Sequence, residues 1–191
     1  TAWHCLITQG QIQPWDDVLI QAAGSGVGSM GIQIAKMLGA RVITTAGSDW
    51  KLEKAKQLGA DEAINYKQTP NLSKKIKELT NGKGVDLVFD VVGADVWEEN
   101  LLSLKPGGRL VITGVTSGAR TNMNLSILQG RPLTLMGSGG RSRRTFADMM
   151  KMVNQGSLRG IVDRTFPLEA VPEAHKVMES REFFGKLVIE N

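Results

Sequence analysis

Residues Val18–Ala46, VLIQAAGSGVGSMGIQIAKMLGARVITTA, decide the fold of this chain. Val18–Ala22 is a short apolar run, and Gly24, Ser25, Gly26 and Gly28 follow at once, where a backbone must turn tightly and lie close to something. Val27, Met30, Ile34, Ala35 and Leu38 then recur at helical spacing up to Gly39, a residue suited to a left-handed helix end. Arg41–Thr45 resumes an apolar, β-branched run, so the stretch predicts a strand, a glycine-rich turn, a helix and a second strand. Such a turn is a phosphate cradle. A helix start leaves N–H groups unpaired and carries partial positive charge, and glycines remove the side chains that would hold an anion away. Two alignments of the GxGxxG pattern compete. Gly26, Gly28 and Gly31 fit the literal spacing, whereas Ala23, Ser25 and Gly28 fit the strand end. The second is preferred, because the first glycine position should follow the strand directly. The cradle is then Ala23, Ser25, Gly26, Val27 and Gly28.

Strand and helix keep alternating along the chain. Thr1–Gln11 reads as a short helix before the first strand, and Ser48 or Asp49 caps a helix running to Leu58. A short strand at Ala63–Asn65 is followed by a polar helix at Leu72–Thr80 and by Val85–Val92, VDLVFDVV, a strand buried on both faces. A helix at Val96–Leu104, a turn at Pro106-Gly107-Gly108 and strands at Arg109–Thr113 and Leu133–Met136 come next, with a helix at Phe146–Gln155. A βαβαβ pattern in two halves predicts an α/β fold of the Rossmann type, a doubly wound parallel sheet. After Gly156 the grammar changes to an isolated strand at Val162–Phe166, a helix at Leu168–Ser180 and a last strand at Gly185–Glu190. The reading therefore divides a dinucleotide-binding domain, 1–163, from a segment of a second domain, 164–191, that docks elsewhere.

Composition bounds the function classes. Hydrophobic content of 41% and charged content of 22% in 191 residues are those of ordinary globular material, and no apolar run approaches the ~20 residues of a membrane span. The net charge of +4 comes from scattered basic residues, apart from Lys74, Lys75, Lys77 and Arg141, Arg143, Arg144; this describes a solvated face rather than a nucleic-acid surface. A single cysteine, Cys5, excludes an internal disulfide and a cysteine-rich zinc cluster, and it fits a reducing compartment, read here as the cytoplasm. With His4 and His175 the only histidines, no complete zinc site is expected within the chain. The chain opens at Thr1 without an initiator methionine or signal peptide and reads as part of a larger product.

In dinucleotide-binding folds the second strand ends in an acid that accepts from the adenosine ribose, roughly 20 residues past the glycines. Ala46 holds that position, with Gly47, Ser48 and Lys51 around it. Small, hydroxyl-bearing and cationic groups there would accept a 2′-phosphate that an aspartate would repel, which favours NADP over NAD. Asp49 is the counter-argument, as a ribose ligand or as a helix cap. Tyr66, the one tyrosine, closes the third strand where its hydroxyl would meet the same phosphate; the alternative is a surface side chain. No Tyr-x-x-x-Lys pair and no Gly-Lys-Ser/Thr signature occurs, so neither short-chain dehydrogenase nor phosphate-loop ATPase chemistry is indicated. Ligands in open sheets sit at the carboxyl ends of the strands, so the later ends, Val91, Val92 and Gly93, then Gly114 and Val115, then Met136, Gly137 and Ser138, would form the nicotinamide pocket. No residue of the chain stands out as a general acid or base.

Together AAGSGVGSMGIQIAKMLGARV, LGAD at Leu58–Asp61, INY at Ile64–Tyr66, GVDLVFDVVG at Gly84–Gly93 and LKPGGRLVITG at Leu104–Gly114 resemble the medium-chain dehydrogenase/reductase superfamily. The likeness is greatest to quinone oxidoreductases, bacterial zinc-type alcohol dehydrogenases and polyketide-type enoyl reductase domains. The resemblance implies a nicotinamide domain inserted into a catalytic domain, with hydride moving to or from a carbonyl or activated alkene. It also implies that Ser48, Lys51 and Tyr66 meet the 2′-phosphate and that Thr1, in the opening TAW, faces the nicotinamide. The tail FPLEAVPEAHKVMESREFFGKLVIE resembles the last catalytic-domain segment. Zinc, where the parent enzyme uses it, would come from the amino-terminal catalytic domain, and a homodimer would join the edges at Leu133–Met136. The alternative is a non-catalytic nucleotide-binding or interaction module.

Overall fold

The computed structural model describes residues 1–139 and 142–191, so Arg141 of the basic cluster lies outside the described residues. A π-helical turn, His4–Gln9, precedes β1 (Asp17–Ile20), α1 (Gly26–Met37), β2 (Arg41–Ala46), α2 (Asp49–Gln57) and β3 (Glu62–Asn65). Then come α3 (Leu72–Leu79), β4 (Val85–Asp90), α4 (Trp97–Ser103), β5 (Leu104–Ile112), α5 (Leu125–Gly130), β6 (Thr134–Gly137) and α6 (Arg143–Asn154). Strand β7 (Val162–Pro167), helix α7 (Val171–Ser180) and strand β8 (Lys186–Glu190) close the chain. The six strands β3-β2-β1-β4-β5-β6 form one sheet in that order, every pair parallel. This is the doubly wound Rossmann arrangement, with the order reversing between β1 and β4, where such sheets open a crevice.

Strand alternation divides the core between two faces. Val18, Ile20, Val42, Leu87, Phe89 and Val111 meet Ile32, Ile34 and Ala35 of α1 and Cys5 and Leu6 of the π-helical turn. Leu19, Ile43, Val88 and Leu110 meet Leu72 and Ile76 of α3 and Leu101 of α4 on the other. Each large apolar side chain sealed there, Phe89 and Leu19 among them, contributes about 1.5–3 kcal/mol. Among the described residues no helix is long and apolar enough to cross a membrane.

The structure departs from the sequence reading at three places. Pro106–Gly108 does not separate a helix from a strand: it is a bulge within β5, where the register with β4 jumps from Val85↔Leu104 to Leu87↔Arg109. Helix α5 was not legible; its start is held by Asn124, whose side chain accepts from the Ser126 N–H at 3.1 Å. The segment Val162–Phe166 is not an isolated strand, since β7 pairs in parallel with β8 and α7 crosses between them, satisfying backbone groups that a lone strand would leave unpaired. The tail then returns to the first turn. Phe184 is 1% exposed and joins the α1-side core, and the Gly185 N–H donates to the Gly24 carbonyl at 2.8 Å.

Candidate functional site

The turn between β1 and α1 is built by its own residues. Ser25 stands at the helix cap in extended backbone, and its Oγ accepts from the Gly28 N–H at 2.8 Å. That supports the strand-end alignment, with Ser25 as the capping member. Gly28 admits no side chain, because a β-carbon there would lie 2.2 Å from the Ala22 carbonyl oxygen, so the helix start and the strand end touch backbone to backbone. Ala22 itself has φ +58°, a left-handed conformation that glycine adopts more cheaply by about 1–2 kcal/mol. Ala23 is buried, with its N–H on the Thr45 carbonyl at 2.9 Å, and Val27 is half-buried on the first turn of α1. Over Gly26 lies a side chain that sequence reasoning missed: a β-carbon on Gly26 would fall 2.9 Å from Lys186 Nζ. A lysine after Gly185 carries no local signal of this role. Only the pairing of β8 with β7 and the bridge between Ser25 and Gly185 bring its ammonium to the helix start.

A cleft of about 710 Å³ opens beside this turn, at the carboxyl ends of the strands. At one end Ala46, Gly47, Lys51 and Tyr66 line it, joined by Arg181 and Phe183 of the tail. A β-carbon on Gly47 would stand 2.5 Å from Tyr66 Oη, so glycine is what lets the tyrosine hydroxyl lie against the end of β2. Lys51 crosses the cleft: its Nζ donates to the Arg181 carbonyl and lies 5.2 Å from the Trp50 ring and 5.8 Å from the Phe183 ring. Burial pushes the Lys51 ammonium below the usual lysine value, and Arg181 and Lys67 add to that, against the pull of Glu182 and Asp163. Asp49 is committed elsewhere, accepting from Asn65 Nδ2 at 2.7 Å. Ser48 caps α2 through its carbonyl, which accepts from the Lys51 N–H at 3.2 Å, and its side chain makes no capping bond; it stands outside the cleft wall.

The other end of the cleft is formed by Val92 with Thr116 and Ser117. Asp90 Oδ1 accepts from the N–H groups of Val92 at 2.7 Å and Gly93 at 3.1 Å, and Gly93 has φ +98°. Gly114 lets the two strand ends interlock, because a β-carbon there would lie 2.4 Å from the Val91 carbonyl oxygen. The Ser117 N–H closes the loop onto the Val92 carbonyl at 2.9 Å. Val91 is buried and Val115 half-exposed beside this loop. Met136 and Gly137 belong to β6, and Ser138 continues it, donating to the Ile112 carbonyl at 2.8 Å. Of the expected residues at the later strand ends the cleft lining takes in Val92, and Val91, Gly93, Gly114, Val115, Met136, Gly137 and Ser138 are not part of it. Thr1 is exposed, its carbonyl accepting from the Cys5 N–H at 3.0 Å. Among the described residues no three His, Cys, Asp or Glu side chains converge as metal ligands, and Cys5 is buried in the core.

Residues 26–155 match the zinc-binding dehydrogenase family. Quinone oxidoreductase 1 of Escherichia coli K12 is 34% identical over 200 residues, which cover 99% of this chain and 61% of that protein. A 2-haloacrylate reductase from a Burkholderia species is 33% identical over 199 residues, covering 99% of this chain and 60% of that protein. Among solved structures, an NAD-dependent alcohol dehydrogenase superposes with a TM-score of 0.94 at 42% identity, over 100% of this chain and 55% of the other. The E. coli quinone oxidoreductase complexed with NADPH superposes with a TM-score of 0.85 at 32% identity, over 99% and 61%. The chain thus spans less than two thirds of the length of the relatives it matches.

Proposed function

Because the chain belongs to the medium-chain dehydrogenase/reductase superfamily, through the zinc-binding dehydrogenase match over 26–155, we propose that it is the NADP-binding part of an oxidoreductase. The parent enzyme would move hydride between the nicotinamide and a carbonyl, alcohol, quinone or activated alkene. The observation that carries the cofactor assignment is the end of β2. Ala46 replaces the ribose-binding acid, and Lys51, Tyr66 and Arg181 line the cleft beside it. Asp49, the acid after β2 that could favour NAD, accepts from Asn65 Nδ2 through its Oδ1 and is not part of the cleft lining.

In this reading the pyrophosphate lies on Ala23, Ser25, Gly26, Val27 and Gly28 at the start of α1, under the Lys186 ammonium. The 2′-phosphate meets Ser48, Lys51 and Tyr66. The ring meets Val91, Val92 and Gly93, Gly114 and Val115, Met136 to Ser138, and Thr1. Bound NADPH supplies the hydride, and the residues of this chain bind and orient it. Zinc, where the parent uses it, comes from residues outside this chain. Residues 1–163 form the dinucleotide domain and 164–191 belong to the catalytic domain, although β7 begins two residues earlier, at Val162.

Tryptophan fluorescence titration tests the cofactor reading. NADPH binds at least about tenfold more tightly than NADH, and Lys51→Glu removes that preference. Equal affinities in the unaltered chain would sink the NADP assignment. We propose further that the open edge of β6 joins its copy in a homodimer. Light scattering at micromolar concentration gives a dimer mass, and a monomer mass overturns that assembly.

A further inference from the structure

From the floor of the cleft, where Gln21 and Thr45 line it, runs a chain of buried polar side chains that none of these ligand contacts uses. Thr45, Gln21, Asn100 and Asp90 come from the ends of β2, β1 and β4 and from α4, and each is 0–1% exposed. Thr45 Oγ1 donates to Gln21 Oε1 at 2.6 Å, and Gln21 Nε2 donates to Asn100 Oδ1 at 2.6 Å. Burial pushes the Asp90 carboxyl above its ordinary value, against the Val92 and Gly93 N–H groups and, least, the Asn100 amide, which pull it down. Asp90 Oδ2, an acceptor, and Asn100 Nδ2, a donor, are nevertheless each buried without a hydrogen bond of ordinary geometry. At one end of the chain the Ala22 N–H reaches Thr45 Oγ1 at 3.3 Å; at the other, Asp90 Oδ1 takes the Val92 and Gly93 N–H groups.

Burying four such groups costs several kcal/mol unless they serve one another, and a leucine at position 90 would fill the space without that cost. Among the described residues no lysine or arginine forms an ion pair with Asp90, so charge pairing does not account for it. What the carboxylate adds is an acceptor for two consecutive N–H groups at a turn where Gly93 has φ +98°. We propose that Asp90 is a positioning residue for the nicotinamide end of the cleft, holding the Val92–Gly93 backbone, and that the Asn100–Gln21–Thr45 chain anchors it to the glycine turn. The proposal rests on the dinucleotide reading above.

Calorimetric titration with NADPH and with adenosine 2′,5′-bisphosphate separates the two ends of the cleft. In Asp90→Ala the NADPH affinity falls about tenfold, while the bisphosphate, which lacks the nicotinamide half, binds within about twofold of the unaltered chain. Equal losses for both ligands would mark a merely structural role and overturn the proposal, as would unchanged NADPH binding. The exchange Asp90→Asn with Asn100→Asp keeps the observed partners of both positions: the new amide oxygen accepts from Val92 and Gly93, and the new carboxylate still accepts from Gln21. The double variant therefore recovers NADPH affinity to within about twofold, and it remains a valid test if Asp90→Ala fails to fold; a tenfold loss in the double variant overturns the proposal. Failure of the unaltered chain to bind either ligand would instead remove the dinucleotide reading itself.

Discussion

Helices α1 and α6 are each twelve residues long, and both pack toward the same face of the sheet, yet α1 buries six residues and α6 buries none. The difference lies in side-chain size along the contact. Helix α1 presents Gly28 and Gly31, so its backbone comes against the Ala22 carbonyl and the Phe89 ring, and Ile32, Ile34 and Ala35 are carried into the core. Helix α6 presents Met149, Met152 and Val153, which reach the core only partly, and leaves Phe146 63% exposed. A helix held by close backbone approach also has a fixed start, and in α1 that start borders the cleft through Gly24 and Ser25. Nothing comparable is asked of α6.

This contrast breaks most sharply at Gly28. Gly28→Ala puts a methyl 2.2 Å from the Ala22 carbonyl and destabilises the chain by about 3 kcal/mol, with cofactor binding lost, in urea unfolding and fluorescence titration. A loss below about 1 kcal/mol would show that the α1 start is free to shift. A smaller effect is expected from acid, at the point where the tail meets the first half of the sheet. Burial pushes the Asp163 carboxyl up, but the Phe184 N–H at 3.0 Å, Arg164 and Lys54 outweigh it and hold the group below its ordinary value of 3.8. A depressed carboxylate stabilises the fold above its ordinary value and loses that contribution as pH falls through its folded value. The melting temperature of the unaltered chain therefore drops more steeply below pH 4 than that of Asp163→Asn, and parallel profiles would remove Asp163 from the tail's anchor. The smallest effect belongs to α6, where Phe146→Ala changes stability by less than about 0.5 kcal/mol. A larger loss would mean that α6 is held as tightly as α1.

Much of the fold was legible because period and punctuation agree with it. Val18–Ile20, Arg41–Ala46 and Val85–Asp90 are apolar runs that only a doubly covered parallel sheet buries, and Gly39 and Gly93 do occupy left-handed backbone at element ends. Helix α5 escaped notice because six residues give too little periodicity, and the Pro106–Gly108 bulge because a break in register resembles a turn. Ser25, Lys51, Tyr66 and Val92, singled out by their distance to strand ends, line one cleft. Ser48 is not among that lining and stands at the start of α2, its carbonyl accepting from the Lys51 N–H.

The sequence by itself determined that a sheet of alternating strands and helices would form, that its first turn would be tight and glycine-rich, and that no acid would stand at the end of β2. Those are local matters, settled by side-chain size, backbone freedom and apolar period within a few residues. Only the tertiary structure decided that Arg181 lines the cleft, that Lys186 lies over Gly26, and that the buried side chains of Asp90, Asn100, Gln21 and Thr45 gather at the cleft floor. Their partners lie far away in sequence, and hydrogen bonds and charges act over a few ångströms of space, whatever length of chain lies between.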